Sequence, residues 1–263
     1  MKNSPEKRQL KSVKSGQIWQ LGASRLLVGD CTDPTLVQEL LKGVKIDAIV
    51  SDPPYGIMYV ESKADTGGVS KNKIIRNDDI TDEAGYKKFS EDWLRLAVPF
   101  LAKKNSIYIF NCDKMAFALR EAMKECGIYF SQLIIWIKNQ ATLARKDYAP
   151  QHELILYGWH GTHAFRKAKD KSVLFFPKPH KSKAHPTIKP LNLVSQLVLN
   201  STPIGGVVYD PFIGSGTAIL ACQKTGRVCY GVEIDLEYAT TAILRFETMS
   251  NIEATLIYEA EQR

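Results

Sequence analysis

Two stretches of the chain hold residues whose types and spacing could do chemistry. In the first, DAIVSDPPYG, an apolar run climbs to Asp52, Pro53, Pro54 and Tyr55. Two consecutive prolines remove two backbone donors and fix two φ angles. The residue ahead of a proline is driven toward extended backbone. The product is a stiff corner without N–H groups that presents a carboxylate, carbonyl oxygens and an aromatic face together. The second stretch, VVYDPFIGSGTAILACQKTGRVCYGVEID, reads as strand, glycine-rich turn, helix, strand and acid. Gly214 and Gly216 permit a sharp turn and the close approach of a ligand. The helix that follows offers unpaired amides. Glu233 ends the next strand, where a carboxylate can take both hydroxyls of a ribose. That combination is half of a nucleoside-cofactor site. A nicotinamide dinucleotide fits it poorly, because Ile219 holds the third glycine place of GxGxxG and Asp210-Pro211-Phe212 is foreign to that fingerprint.

The elements that must position these residues alternate along the chain. A hairpin is expected over 17–21 and 25–29 around Gly22, then a helix over 34–42 and a strand over 46–50. The polar, glycine-containing 57–79 segment has no period and reads as a long loop. An amphipathic helix over 82–100 buries Phe89, Trp93, Leu96 and Ala97 on one face. A strand over 106–110, a helix over 115–126 closed by Gly127, and strands over 129–137 and 152–158 follow. The 161–183 stretch is basic and irregular. Then come a helix over 191–200, a strand over 207–210, a helix over 216–225, a strand over 228–232 and a closing helix over 236–249. Strands alternating with helices predict an α/β fold, a doubly wound and mostly parallel sheet. Ligands bind such sheets beyond the carboxyl ends of the strands. Asp30, Asp52, Asp210 and Glu233 all end expected strands, and four acids on one rim is the pattern of a site.

Composition narrows the classes. The chain has 263 residues, 44% hydrophobic and 24% charged, ordinary for a globular domain. No apolar run is long enough to span a membrane. The basic N-terminus lacks the apolar core of a secretory signal and reads as a flexible arm. Cys31, Cys112, Cys126, Cys222 and Cys229 are scattered without a CxxC pair, which suggests neither a disulfide framework nor a zinc site, and no metal is expected. A reducing cytoplasm fits. Net charge is +7, which suits a polyanionic partner. The densest cations, Arg166, Lys167, Lys169, Lys171, Lys178, Lys181 and Lys183, surround Phe175-Phe176.

SDPPYG together with DPFIGSGTA resembles the S-adenosylmethionine-dependent amino-methyltransferases of DNA. The catalytic corner precedes the cofactor loop, as in the permuted beta class of those enzymes. LIIWIK (133–138) followed by QHELILYG (151–158) resembles the strands on the far side of the target base. HPTIKP (185–190) resembles the segment closing over the methionine end of the cofactor. LLVGDC (26–31) resembles the strand whose acid meets the adenine. The likeness covers 17–248 and implies a Rossmann-like class I methyltransferase fold with one antiparallel strand and circularly permuted motif order.

What the resemblance implies is specific. Asp52 and the Pro53 carbonyl would each accept one N–H of an exocyclic amine, localising a lone pair otherwise delocalised into the base, while Pro54 holds the corner. Tyr55 would stack on the base, which must leave the duplex to reach it. Asp30, Cys31, Asp210, Pro211, Phe212, Gly214, Ser215, Gly216, Thr217, Glu233, Ile234, His185, Thr187 and Lys189 would hold S-adenosylmethionine, leaving S-adenosylhomocysteine as product. Lys138 and the seven cations of 166–183 would contact double-stranded DNA. The implied division is a basic arm (1–16), a catalytic half (17–160), a short target-recognition segment (161–184), a cofactor half (185–250) and a tail (251–263). Aspartate in the first place of the corner goes mostly with adenine N6, and cytosine N4 stays open. A homodimer and a cognate restriction endonuclease are the further partners the family admits; no membrane is. The rivals are an RNA or protein-amide methyltransferase, and a DNA-binding relative that has lost catalysis. The leading Asp52, rather than Asn, speaks against the former. The intact Asp52, Tyr55, glycine loop and Glu233 speak against the latter.

Overall fold

A computed structural model describes residues 11–55, 82–142, 147–167, 169–179 and 188–260. The loop expected over 57–79, and Lys181, Lys183, His185 and Thr187, lie outside them. At the centre is β3 (Ile46–Ser51), whose alternation-free run IDAIVS is buried on both sides as a central parallel strand requires. On one side of β3 stand β9 (Val207–Asp210), β10 (Val228–Glu233) and β2 (Ser24–Val28), and on the other β4 (Leu101–Asn111), all parallel to it. Beyond β4, β6 (His152–His160) runs antiparallel to both β4 and β5 (Ile128–Ile137). It is the reversed strand that the sequence predicts in the body of the sheet. Next to the opposite edge, β1 (Gln17–Leu21) is also reversed, as the first arm of the hairpin around Gly22.

Helices cover both faces. α1 (Pro34–Leu41), α2 (Glu83–Ala97) and α3 (Ala116–Glu125) pack Leu40, Trp93 and Leu119 against one face with Ile49 and Ile107. α4 (Leu191–Ser201), α5 (Thr217–Thr225) and α6 (Leu236–Ser250) pack Leu197, Ile219 and Ile243 against the other with Val50 and Val208. α1 begins where Asp33 accepts from Thr35 and Leu36 ahead of Pro34, and α6 where Asp235 accepts from Glu237 and Tyr238. These are side-chain caps that satisfy otherwise orphaned amides.

Three segments depart from the sequence reading. The stretch expected to be irregular holds β7 (Thr162–His163), paired with β4, and β8 (Val173–Phe175), paired in parallel with β5. Only Leu174 of β8 is buried, so no apolar alternation long enough to be seen marks it. The segment read as a C-terminal tail carries β11 (Thr255–Glu259), antiparallel to β1. Residues 11–16, assigned to the arm, are tied down. Lys11 pairs with Glu247 at 2.8 Å, and Gly16 donates to Val28 at 2.7 Å.

Candidate functional site

A cavity of about 160 Å³ lies beyond the carboxyl ends of β2, β3, β9 and β10. Asp30, Cys31, Asp52, Pro53, Pro54, Tyr55, Lys189, Asp210, Pro211, Phe212, Gly214, Ser215, Thr217, Glu233 and Ile234 all line it. Gly216 does not, yet it shapes the loop. Its φ of +84° caps α5, and a Cβ there would meet the Cβ of Ala242 at 3.0 Å. Residues as far apart in sequence as Asp30 and Ile234 thus meet at the rim, because parallel strands bring every carboxyl end to one edge.

The glycine loop is held from three sides. Phe212 sits edge-on to Trp93 with ring centroids 5.6 Å apart, fastening the loop to α2. Gly214 N–H donates to Glu233 Oε2 at 2.8 Å. Arg245 of α6 donates to the Ser215 carbonyl and, at 2.7 Å, to Ser215 Oγ. Glu233 also takes the Asp235 amide on Oε1 at 2.8 Å. Each of its oxygens therefore has one backbone donor among the described residues, and the residue lines the cavity. Burial pushes the Glu233 carboxyl up to about 7, against the pull of those two amides. Burial likewise pushes Asp210 up to about 7, although Ser51 Oγ donates to its Oδ1 at 2.8 Å and the Phe212 amide at 3.1 Å. Asp30 is not the cap of α1, which is Asp33. It takes the Thr32 amide and hydroxyl on Oδ1, at 2.8 and 2.7 Å, in a local turn. Cys31 is buried, and burial raises its thiol well above the usual range, so it is an apolar wall rather than a nucleophile.

The corner departs from β3 as expected. Asp52 Oδ2 accepts from the Lys189 ammonium. Its other oxygen, Oδ1, is buried and has no partner among the described residues. Burial raises the Asp52 carboxyl, and the nearby Lys189 charge only partly offsets this. Tyr55 is half-buried at the cavity wall. Burial, with Glu153 and Asp52 nearby, pushes its phenol up and keeps it neutral.

Several expected roles meet a different geometry. Lys138 does not face solvent. It is 7% exposed and pairs with Glu153 at 2.9 Å, so it cannot reach a phosphate. Lys189 is at the site, but its charge is already shared by Asp52 and, at 3.3 Å, by Glu153. The basic stretch is split between two ends of the sheet. The Arg166 amide donates to Asn200 at the far end of α4, and Ala164 to Asn105 in the first half of β4. Arg166 and Lys167 therefore lie at the end away from the cavity, where Lys167 pairs with Asp170 at 3.2 Å. Lys169 and Lys171 flank Asp170, which accepts from Gln196 and Asn200 of α4 at that same end, and the chain then runs through β8 to Lys178, whose amide donates to Asn139 near the rim. Trp136, by contrast, is core, as its strand spacing implies, 1% exposed and donating to the Phe176 carbonyl. Sequence reasoning missed Ser51, Phe110, Asp235 and Tyr238, which line the cavity, and Glu153 and Arg245, which bond to residues that do. Glu153 lies inside QHELILYG, and its acid in an otherwise apolar strand is the signal that could have found it. Arg245 carries no such mark.

The DNA methylase family model matches residues 46–244. The Type II methyltransferase M.HpaI of Haemophilus parainfluenzae is 27% identical over 84% of this chain and 74% of its own. M2.MboI of Moraxella bovis is 26% identical over 79% and 82%. Among solved structures, the M1.HpyAVI–SAM complex aligns with a TM-score of 0.62 at 24% identity, over 84% of this chain and 98% of that one. The cytosine-N4-specific PvuII DNA methyltransferase aligns with 0.67 at 14% identity, over 90% and 94%. At such identities the structures share the fold, a mostly parallel sheet wrapped by helices.

Proposed function

Because this chain belongs to the DNA methylase family, we propose that its cavity binds S-adenosylmethionine and that the chain methylates an exocyclic amino group of a DNA base, adenine N6 foremost. The observation that carries this reading is Asp52 Oδ1, a buried acceptor with no hydrogen-bond partner among the described residues, beside two prolines that offer no N–H. Burying such an atom costs about 1–3 kcal/mol, and an incoming amino N–H offsets that cost only when substrate is present.

The donor and acceptor set fits the cofactor. Glu233, with one backbone donor on each oxygen among the described residues, suits two ribose hydroxyls. The Gly214–Gly216 turn admits the chain of the ligand closely, and Asp30 with Ile234 and the Cys31 wall suits an adenine. When bound, the cofactor supplies an electrophilic methyl on a sulfonium. The chain does the rest by positioning. Asp52 Oδ1 and the Pro53 carbonyl each take one amino hydrogen, drawing the nitrogen toward tetrahedral geometry. Asp52 also stabilises the positive charge that grows on nitrogen as it bonds to carbon. The raised Asp52 carboxyl can then take the surplus proton. Tyr55 stacks on the base, which has left the duplex.

Asp52 in the first place of the corner supports adenine. Likeness to a cytosine-N4-specific enzyme supports the second reading, for the same acceptors would serve cytosine N4. Lys178 and the exposed Phe175 of β8 are the DNA contacts we assign on the cavity side; Lys181 and Lys183 are assigned to DNA on the sequence alone. Arg166 and Lys167 are not among them.

The test is incubation of purified protein with undermethylated DNA and labelled S-adenosylmethionine, then nucleoside digestion and mass spectrometry, with Asp52→Ala alongside. We expect N6-methyladenine, lost in the variant. N4-methylcytosine would keep the mechanism and change the base. No methylated nucleoside at all would overturn the reading.

A further inference from the structure

Asp52 has a positioning problem that its own corner cannot solve. Pro53 and Pro54 offer no amide to fix the rotation of its carboxylate. Of its two oxygens, one must stay bare for the amino group, so the other must be held from elsewhere. Lys189 holds it. Yet a lysine is a flexible stem with a point charge at its tip and many rotamers. It fixes nothing unless it is itself anchored.

The anchor is Glu153. It stands second in β6, opposite Trp136 in the register with β5, and its Oε2 lies 3.3 Å from the Lys189 ammonium, an ion pair outside hydrogen-bond geometry. Its Oε1 lies 2.9 Å from the ammonium of Lys138, the residue that follows β5. Lys138 is fixed in turn by its backbone, its amide donating to the Gln151 carbonyl at 2.8 Å and its carbonyl accepting from Gln151 Nε2 at 3.0 Å. The two ammonium groups also lie over aromatic faces, Lys138 on Trp136 and Lys189 on Phe110, with centroid distances of 5.5 and 5.2 Å. The result is a chain of alternating charge, Lys138, Glu153, Lys189, Asp52, built from four separate segments of sequence. Two cations and two anions cancel, which allows all four to sit largely out of water.

We propose that Glu153 is a positioning residue for methyl transfer, acting through Lys189 to hold Asp52 with Oδ1 turned to the amino group. Two effects follow. Glu153 draws Lys189 to one side, so that the ammonium engages a single oxygen of Asp52. It also takes part of the Lys189 charge, so that Asp52 remains a strong acceptor. Without it the whole of that charge falls on Asp52, and the carboxylate turns to meet it with both oxygens.

The proposal rests on the reading of Asp52 given above, and the test separates the two. Methyl transfer to DNA is measured for Glu153→Gln, Glu153→Asp and Asp52→Asn, with S-adenosylmethionine binding by calorimetry on each. For Glu153→Gln we expect kcat to fall ten- to a hundredfold, while KM for DNA and the cofactor dissociation constant stay within about threefold. Glu153→Asp keeps the charge and should recover at least a third of the lost kcat on a logarithmic scale. If Glu153→Gln is not recovered folded, Lys138→Gln replaces it, since it releases Glu153 while leaving Lys189 and Asp52 in place. A kcat within twofold of the parent in the neutralised variant, with Asp52→Asn inactive, overturns the role of Glu153 and leaves the reaction standing. A matched fall in cofactor binding and kcat, unrelieved by aspartate, also overturns it in favour of a purely structural acid. An active Asp52→Asn would instead overturn the reading of the corner itself.

Discussion

Asp210 is the place where the site should cost the fold most visibly. Among the described residues its two hydrogen bonds, from Ser51 Oγ and the Phe212 amide, both fall on Oδ1. An asparagine at 210 can keep both through its carbonyl oxygen, so Asp210→Asn removes a charge and little else. Burial raises the carboxyl from its ordinary 3.8 to about 7. The folded chain therefore holds the proton more tightly than the unfolded one. The stability contributed by Asp210 is full below pH 3.8 and is lost as pH rises through 7. At about 1.36 kcal/mol per unit, the roughly three units amount to an upper value of about 4 kcal/mol at pH 8. Less than half of that has built up at pH 5. With a melting shift of roughly 2–4 °C per kcal/mol for a chain of this size, Asp210→Asn should melt roughly 5–15 °C higher at pH 8 and much closer to the parent at pH 5. Differential scanning calorimetry on cofactor-free protein at the two pH values decides it. An equal gain at both, or no gain at pH 8, would refute the reasoning, because only a buried charge makes the gain grow with pH.

Other perturbations should respond in ways the geometry sets. Glu233 at about 7 must be ionised to take two ribose hydroxyls, so S-adenosylmethionine affinity should weaken about tenfold from pH 8 to pH 6. Calorimetric titration checks this, and a flat profile would remove Glu233 from the ribose. Gly216→Ala places a Cβ at positive φ and 3.0 Å from Ala242, which should destabilise by about 1–3 kcal/mol and loosen cofactor binding in the same titration. The pair Arg166→Ala and Lys167→Ala, at the far end of the sheet, should change DNA affinity less than threefold by fluorescence anisotropy, while Lys178→Ala weakens it and flattens its salt dependence.

What could be read from the sequence was local. The corner at Asp52 and the loop at Gly214 are legible because prolines and glycines constrain the backbone at their own positions. The rim of acids followed from the parallel sheet alone. β8 and β11 were hidden because each is a short edge strand with most side chains exposed, so burial imposes no alternation on it. Lys138 misled because a cation after a strand reads as solvated, and only its partner Glu153 on the neighbouring strand turns it inward. That partnership depends on the β5–β6 register, and the contact from Glu153 through Lys189 to Asp52 crosses three elements. Arg245 reaches Ser215 by the way α6 lies on the sheet. Residue types carry no trace of contacts of this kind.

The strand β11 has one more consequence. The Ala260 amide donates to the Gly16 carbonyl at 3.1 Å, so residues 16 and 260 are neighbours at one edge of the sheet. A short peptide between them would close the backbone into a ring without moving a strand. Reopening that ring at the exposed turn of Gly161 would give a polypeptide in which the glycine loop is translated before the proline corner, though every side chain of the cavity kept its place. The order in which the two halves of the site are synthesised is then a matter of where a ring is cut. A gene rearranged in this way, tested for melting temperature and methyl transfer, would tell whether the ribosome's order matters to the molecule at all.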